Sequence, residues 1–74
     1  MEKVDLHGVR HGEVSGLLIR KIEEFWNKDV ELHIVTGYSE QMKEIVINIL
    51  NEYKLDYQIG DFLKSNNGYI TTIV

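Results

Sequence analysis

The chain has 74 residues, 43% of them hydrophobic, with no cysteine, no proline and a formal charge of −4. That length holds one domain, residues 1–74, and the apolar share excludes a disordered chain. Without cysteine there is neither a disulfide framework nor a thiolate metal site, and the acidic balance argues against a strongly basic, phosphate-gripping face. No apolar run approaches membrane-spanning length and the first residues lack a secretory pattern, so the sequence predicts a soluble, cytoplasmic protein without a membrane partner.

Val4-Asp5-Leu6-His7 alternates with a period of two and predicts a first strand. Val4 and Leu6 face one side of it, and Asp5 and His7 project together from the other. A carboxylate two residues before an imidazole on one strand face can orient the ring for proton transfer. The same tetrapeptide also fits an exposed Asp and His on a solvated sheet face. Gly8 follows at once, so the chain turns just past the pair. His11, in the loop beyond, reads as a solvated residue. A first helix is predicted over residues 12–27, with Val14, Leu17, Leu18, Ile22, Phe25 and Trp26 as its buried stripe. Gly16 lies inside this helix, where close packing on the sheet would account for it. Trp26, in register with Leu18 and Ile22, reads as core edge rather than as a base-stacking platform.

Residues 31–37 form a second alternating run, again ending in glycine. A strand–helix–strand unit joins parallel strands with right-handed sense, so Gly8 and Gly37, and with them His7 and Thr36, come to one rim of the sheet. Ligands of open α/β sheets bind at that rim. A second helix is predicted from residue 39 or 40 to about 54, with Ser39 as N-cap and Glu40 in its first turn. Met42, Ile45, Val46, Ile49, Leu50 and Tyr53 make its buried stripe, and Lys43, Asn48, Asn51 and Glu52 lie outside. Residues 56–59 read as a short strand, residues 64–68 as a turn, and residues 69–74 as a last strand rich in β-branched side chains. The order β-α-β-α-β-β predicts an α/β fold. Its form is a two-layer sandwich, a four-stranded mixed sheet with both helices on one face.

Three features meet at the predicted rim: the Asp5–His7 pair, the Thr36-Gly37 turn and the start of the second helix. A helix start presents unpaired N–H groups and partial positive charge, which suits phosphate. Of the basic residues, only Lys3, Arg10, Lys43 and Lys64 are placed to approach it, so intrinsic nucleic-acid affinity should be weak. A lesser alternative is a hydrolytic metal shared by Asp5, His7 and His33 on the open sheet face.

Asp5-Leu6-His7-Gly8, the following Arg10 and Glu13, Ile34-Val35-Thr36-Gly37 and the closing Gly68-Tyr69-Ile70-Thr71-Thr72-Ile73-Val74 together resemble the Smr (small MutS-related) domain family over nearly the whole chain. The resemblance implies a fold similar to the C-terminal domain of translation initiation factor 3, and an endonuclease acting on RNA before DNA. By the same resemblance His7 is the general acid or base and Asp5 orients it. Thr36, Gly37 and the Ser39 N–H hold a phosphate, with Gly8, Arg10, Tyr38 and Lys43 as further nucleic-acid contacts. The partner implied is single-stranded RNA, with placement by a larger assembly such as a ribosome, and no cofactor is called for. The chain departs from the family at Tyr38-Ser39, where a residue that is often basic is followed by glycine, and its rim loop is shorter. Tyr38 brings a ring that can stack on an unpaired base or merely cover the turn. Two other classes remain: a binding module that kept the fold without cleavage, and a protein-interaction adaptor marked by an apolar patch near Trp26 or Tyr57.

Overall fold

The two sequence periodicities become two layers. In a computed structural model, which describes residues 1–61 and 66–74, the strands are β1 (Glu2–Asp5), β2 (Glu31–Val35), β3 (Tyr57–Ile59) and β4 (Tyr69–Ile73). The helices are α1 (His11–Glu24) and α2 (Glu40–Glu52), in the order β-α-β-α-β-β. Lys64, expected near the rim, and part of the expected 64–68 turn fall outside the described residues.

The sheet runs β1-β2-β4-β3. β1 is parallel to β2, with Val4 opposite Ile34, while β4 is antiparallel to both β2 and β3. The Leu6 N–H donates to the Val35 carbonyl at 2.9 Å, which carries the β1–β2 pairing past Asp5. Val4, Leu6, Leu32, Ile34 and Ile70 turn one sheet face toward Val14, Leu18, Ile22, Val46 and Leu50 of the helices, in one buried cluster. The result is the mixed four-stranded sheet with both helices on one face. Among the described residues nothing packs over the opposite, bare face: Asp5, His7 and Ile73 are exposed, and His33, Val35, Tyr69 and Thr71 are half-buried. Lys21 ties α1 to β1 through Glu2, at 3.2 Å, and that bond raises its amine above the ordinary lysine range.

α1 is shorter than the periodicity suggests and buries a narrower stripe. It ends at Glu24, and Asn27 and Asp29 then take left-handed backbone angles, φ 62° and 56°, which Asn and Asp tolerate better than most residues. Its buried positions are Val14, Leu18 and Ile22 alone, spaced by four. Leu17 lies about a quarter turn round the helix, outside the arc that a single supporting layer covers, and is 39% exposed. Trp26 falls beyond the helix end. It is 43% exposed and packs tilted on Tyr53, with ring centroids 5.7 Å apart.

Gly16 has open space around it: an added Cβ would meet nothing within 4 Å. Sheet packing therefore does not account for this glycine. Gly16→Ala is expected to raise stability by about 0.5–1 kcal/mol, because alanine loses less backbone freedom on entering a helix. Thermal melts should move upward, and a lower melting temperature would show an unrecognised packing role.

α2 begins as expected. The Ser39 side chain caps it by accepting the Met42 N–H at 3.1 Å. The α2–β3 connection is anchored by Thr72, whose hydroxyl donates to the Asp56 carbonyl at 2.6 Å. Among the described residues no helix is long and apolar enough to cross a membrane.

Candidate functional site

β1 and β2 are parallel, so their C-terminal ends share one sheet edge, and both helices start from that edge. His7 follows β1, and Gly37 follows β2. His7 and Asp5 are exposed on the bare face, whereas Val4 and Leu6, which alternate with them, point into the core. The Asp5 carboxylate does not meet the ring. Its Oδ1 accepts the His7 backbone N–H at 3.0 Å, an i to i+2 contact that holds the main chain where the strand stops. Asp5 therefore positions residue 7 through its backbone. Gly8, at φ 83°, then reverses the chain, and the Val9 N–H closes the turn on the Leu6 carbonyl at 3.0 Å. Arg10 is the exposed N-cap residue of α1 and makes no side-chain capping bond.

The imidazole of His7 lies against Gly37. A Cβ at Gly37 would sit 2.9 Å from His7 Cδ2, and the Gly37 backbone is left-handed at φ 69°. Gly37→Ala thus meets two penalties, backbone strain of about 1–3 kcal/mol and a ring that must move. Denaturant unfolding should report the first, and a displaced His7 ring signal in NMR spectra the second. Unchanged stability with an unmoved ring would contradict this contact.

Thr36 and Gly37 are engaged differently from the sequence expectation. Both N–H groups donate to the Gly68 carbonyl, each at 2.9 Å. The Thr36 hydroxyl lies within reach of the carbonyls of Gly37, at 2.8 Å, and Gly68, at 3.2 Å, and the residue is only 2% exposed. These groups latch the end of β2 to the start of β4, so they are not free to hold a phosphate. The reason is register: with Val35 opposite Tyr69, residue 68 falls beside residue 36. The sequence places Gly68 in a turn and at the head of the closing strand, and neither position by itself pairs it with Thr36. Among the described residues, donors at this edge include the first-turn N–H groups of α2, which lack helical partners and of which Ser39 caps one. Ser39 itself is exposed, as is Tyr38.

Lys43 also departs from its expected place. It is 5% exposed, with its ammonium 3.4 Å from Glu40 Oε1. Three residues before Val46 and seven before Leu50, it shares their flank of α2, so its aliphatic stem is covered while its head reaches back one turn. Its charge is paired and withdrawn from the rim. Among the described residues the exposed cation left beside His7 in sequence is Arg10, and Lys3 stands exposed on the bare face.

A hollow of about 320 Å³ opens on the bare face next to the rim, lined by His7, His33, Gly37, Tyr38, Asn66 and Tyr69 among others. The His33 and Tyr69 rings stack along one side, with centroids 4.3 Å apart and planes 15° from parallel. Asp5, His7 and His33 share this face, yet among the described residues no three His, Asp or Glu side chains converge to hold a metal ion. Two larger hollows, of about 580 and 550 Å³, lie at the opposite end of the sheet around Lys54, Leu55 and Ile73, away from His7. The geometry therefore places the exposed His7 imidazole, held by a fixed backbone, beside a ring-lined cleft and two helix starts. No family model, curated protein or solved structure matches the chain.

Proposed function

We propose that the chain is an Smr-like domain that cleaves phosphodiester bonds in single-stranded RNA, with DNA as a poorer substrate, in the cytoplasm and in association with ribosomes. The observation that carries the reading is the exposed His7 imidazole resting on Gly37, where two parallel strand ends and two helix starts meet. A neutral imidazole there accepts the proton of the attacking oxygen, either a ribose 2′-hydroxyl or water, as that oxygen bonds to phosphorus. The bond to the 5′-oxygen then breaks, and that oxygen takes a proton from the imidazolium or from water. Arg10 and the first-turn N–H groups of the helices balance charge on the phosphate. Asp5 holds the main chain of His7, which keeps the ring at the rim.

A second reading, a module that binds RNA without cutting it, is favoured by a specific observation. The stacked His33 and Tyr69 rings line the cleft beside His7 and can hold a base without charge, whereas the Gly68 carbonyl engages the Thr36 and Gly37 N–H groups and Glu40 pairs Lys43, which leaves fewer donors to stabilise a cleaving phosphate. One assay separates the readings: single-stranded RNA and DNA incubated with wild type and His7→Ala, with and without EDTA. Product that depends on His7 supports cleavage. A mobility shift without product supports the binding module, and neither result leaves a protein-interaction adaptor.

A further inference from the structure

The helix-covered face of the sheet is filled, and the strand-end rim accounts for His7, but neither uses the two rings on the bare face. His33 and Tyr69 come from neighbouring antiparallel strands, two positions apart in register, since His33 faces Thr71 and Val35 faces Tyr69. Among the described residues no helix packs over them, yet both are half-buried, and their near-parallel stack supplies part of that cover. Tyr69 stands at the start of β4, nearer the rim, and His33 stands behind it. The hollow lies on the rim side of the pair and is continuous with His7 and Gly37.

We propose that this hollow is a base-stacking site, in which one unpaired nucleobase extends the His33–Tyr69 stack while its own or the adjoining phosphate reaches the His7 rim. The inference rests on the nucleic-acid reading above and adds where the base lies. Three features select a base over an apolar segment. The hollow, at about 320 Å³, is small and open, suited to a flat ring and too small for a helix. Its wall is a ring pair already arranged as a stack, and a planar heterocycle continues such a stack whatever its sequence identity. Its mouth also carries a polar donor suited to a base edge. The Asn66 carboxamide oxygen accepts the Gly68 N–H at 2.9 Å, which leaves its NH2 group for a ligand acceptor. Tyr38, 73% exposed, also lines the hollow, so its ring is available to a base held there. Four-stranded sheets with one bare, ring-bearing face bind single-stranded RNA by the same physics elsewhere.

The test is a titration of a fluorescent single-stranded RNA, and of the same strand with one abasic position at successive sites, against wild type, Tyr69→Phe and Tyr69→Leu. Wild type and Tyr69→Phe should bind alike. Tyr69→Leu should bind about 5- to 150-fold more weakly. One abasic position should cost wild type a comparable factor and cost Tyr69→Leu nothing. The Tyr69 and His33 ring signals in NMR spectra of wild type should shift on addition of the intact strand and not of inorganic phosphate. Because the abasic comparison uses wild-type protein, it stands even where Tyr69→Leu fails to fold. If RNA binds or is cut through His7 but loss of the base and loss of the ring change nothing, the stacking site is overturned and the function stands. If wild type neither binds nor cuts RNA, both are overturned. Ring signals that move with an apolar peptide and not with RNA would assign the hollow to a protein partner and overturn it as well.

Discussion

His7→Ala is expected to lower RNA cleavage by about 10²–10⁴-fold, the usual consequence of removing a general acid or base, while leaving the fold intact. The second half follows from position. The ring is exposed, sits on the bare face, and packs against a glycine rather than in the core. The residue's structural contact is its backbone N–H to Asp5, which alanine retains. Thermal melting of the variant should therefore stay close to wild type while product formation collapses. Equal activity in the two proteins would place the chemistry elsewhere or reveal a contaminating nuclease. Asp5→Ala tests the partner role. Losing the carboxylate frees the main chain at residue 7, so its activity should fall less than that of His7→Ala.

The neighbouring residue should behave in the opposite way. Leu6 is fully buried between β1 and the helices, one position from His7 and on the other face of the chain. Leu6→Ala removes its packing and leaves a cavity, which costs roughly 2–5 kcal/mol. A domain of this length buries only about 60–65% of its unfolded surface and has modest stability, so this loss is a large share of the total. For a domain of this size each kcal/mol moves the melting temperature by about 4–8 °C, so the midpoint should drop by about 8 °C or more. At a temperature where the variant is still folded, its cleavage per folded molecule should remain near wild type, since the His7 ring and its glycine seat are unchanged. A loss below about 1 kcal/mol would mean that the strand end tolerates collapse around the missing side chain. Together the two substitutions separate chemistry from packing at adjacent positions, which the two-residue period of the strand makes possible.

That period is legible in the amino-acid sequence alone, and so are the other local features. Val4 and Leu6 inward with Asp5 and His7 outward, Leu32 and Ile34 inward on β2, and the stripe of Val46, Ile49 and Leu50 on α2 all follow from repeats of two or of three to four residues. The Ser39 cap is equally local, because a side chain and an N–H three residues on decide it. The parallel pairing of β1 and β2 needed one further rule, the handed crossover through a helix, and with it the shared rim was predictable. What the sequence left open depends on contacts between segments distant in the chain. The insertion of β4 between β2 and β3 sets residue 68 beside residue 36, and that register turns Thr36 and Gly37 from candidate phosphate ligands into a latch. The same register sets Tyr69 beside His33 and creates the ring-lined hollow. Lys43 is buried and Leu17 exposed against the spacing, because periodicity alone does not say how far round α2 or α1 the cover extends. Local spacing determines which way a side chain leaves its strand or helix. Only the packing of elements against one another determines what it meets there, because burial and hydrogen-bond partners are properties of the neighbouring segment.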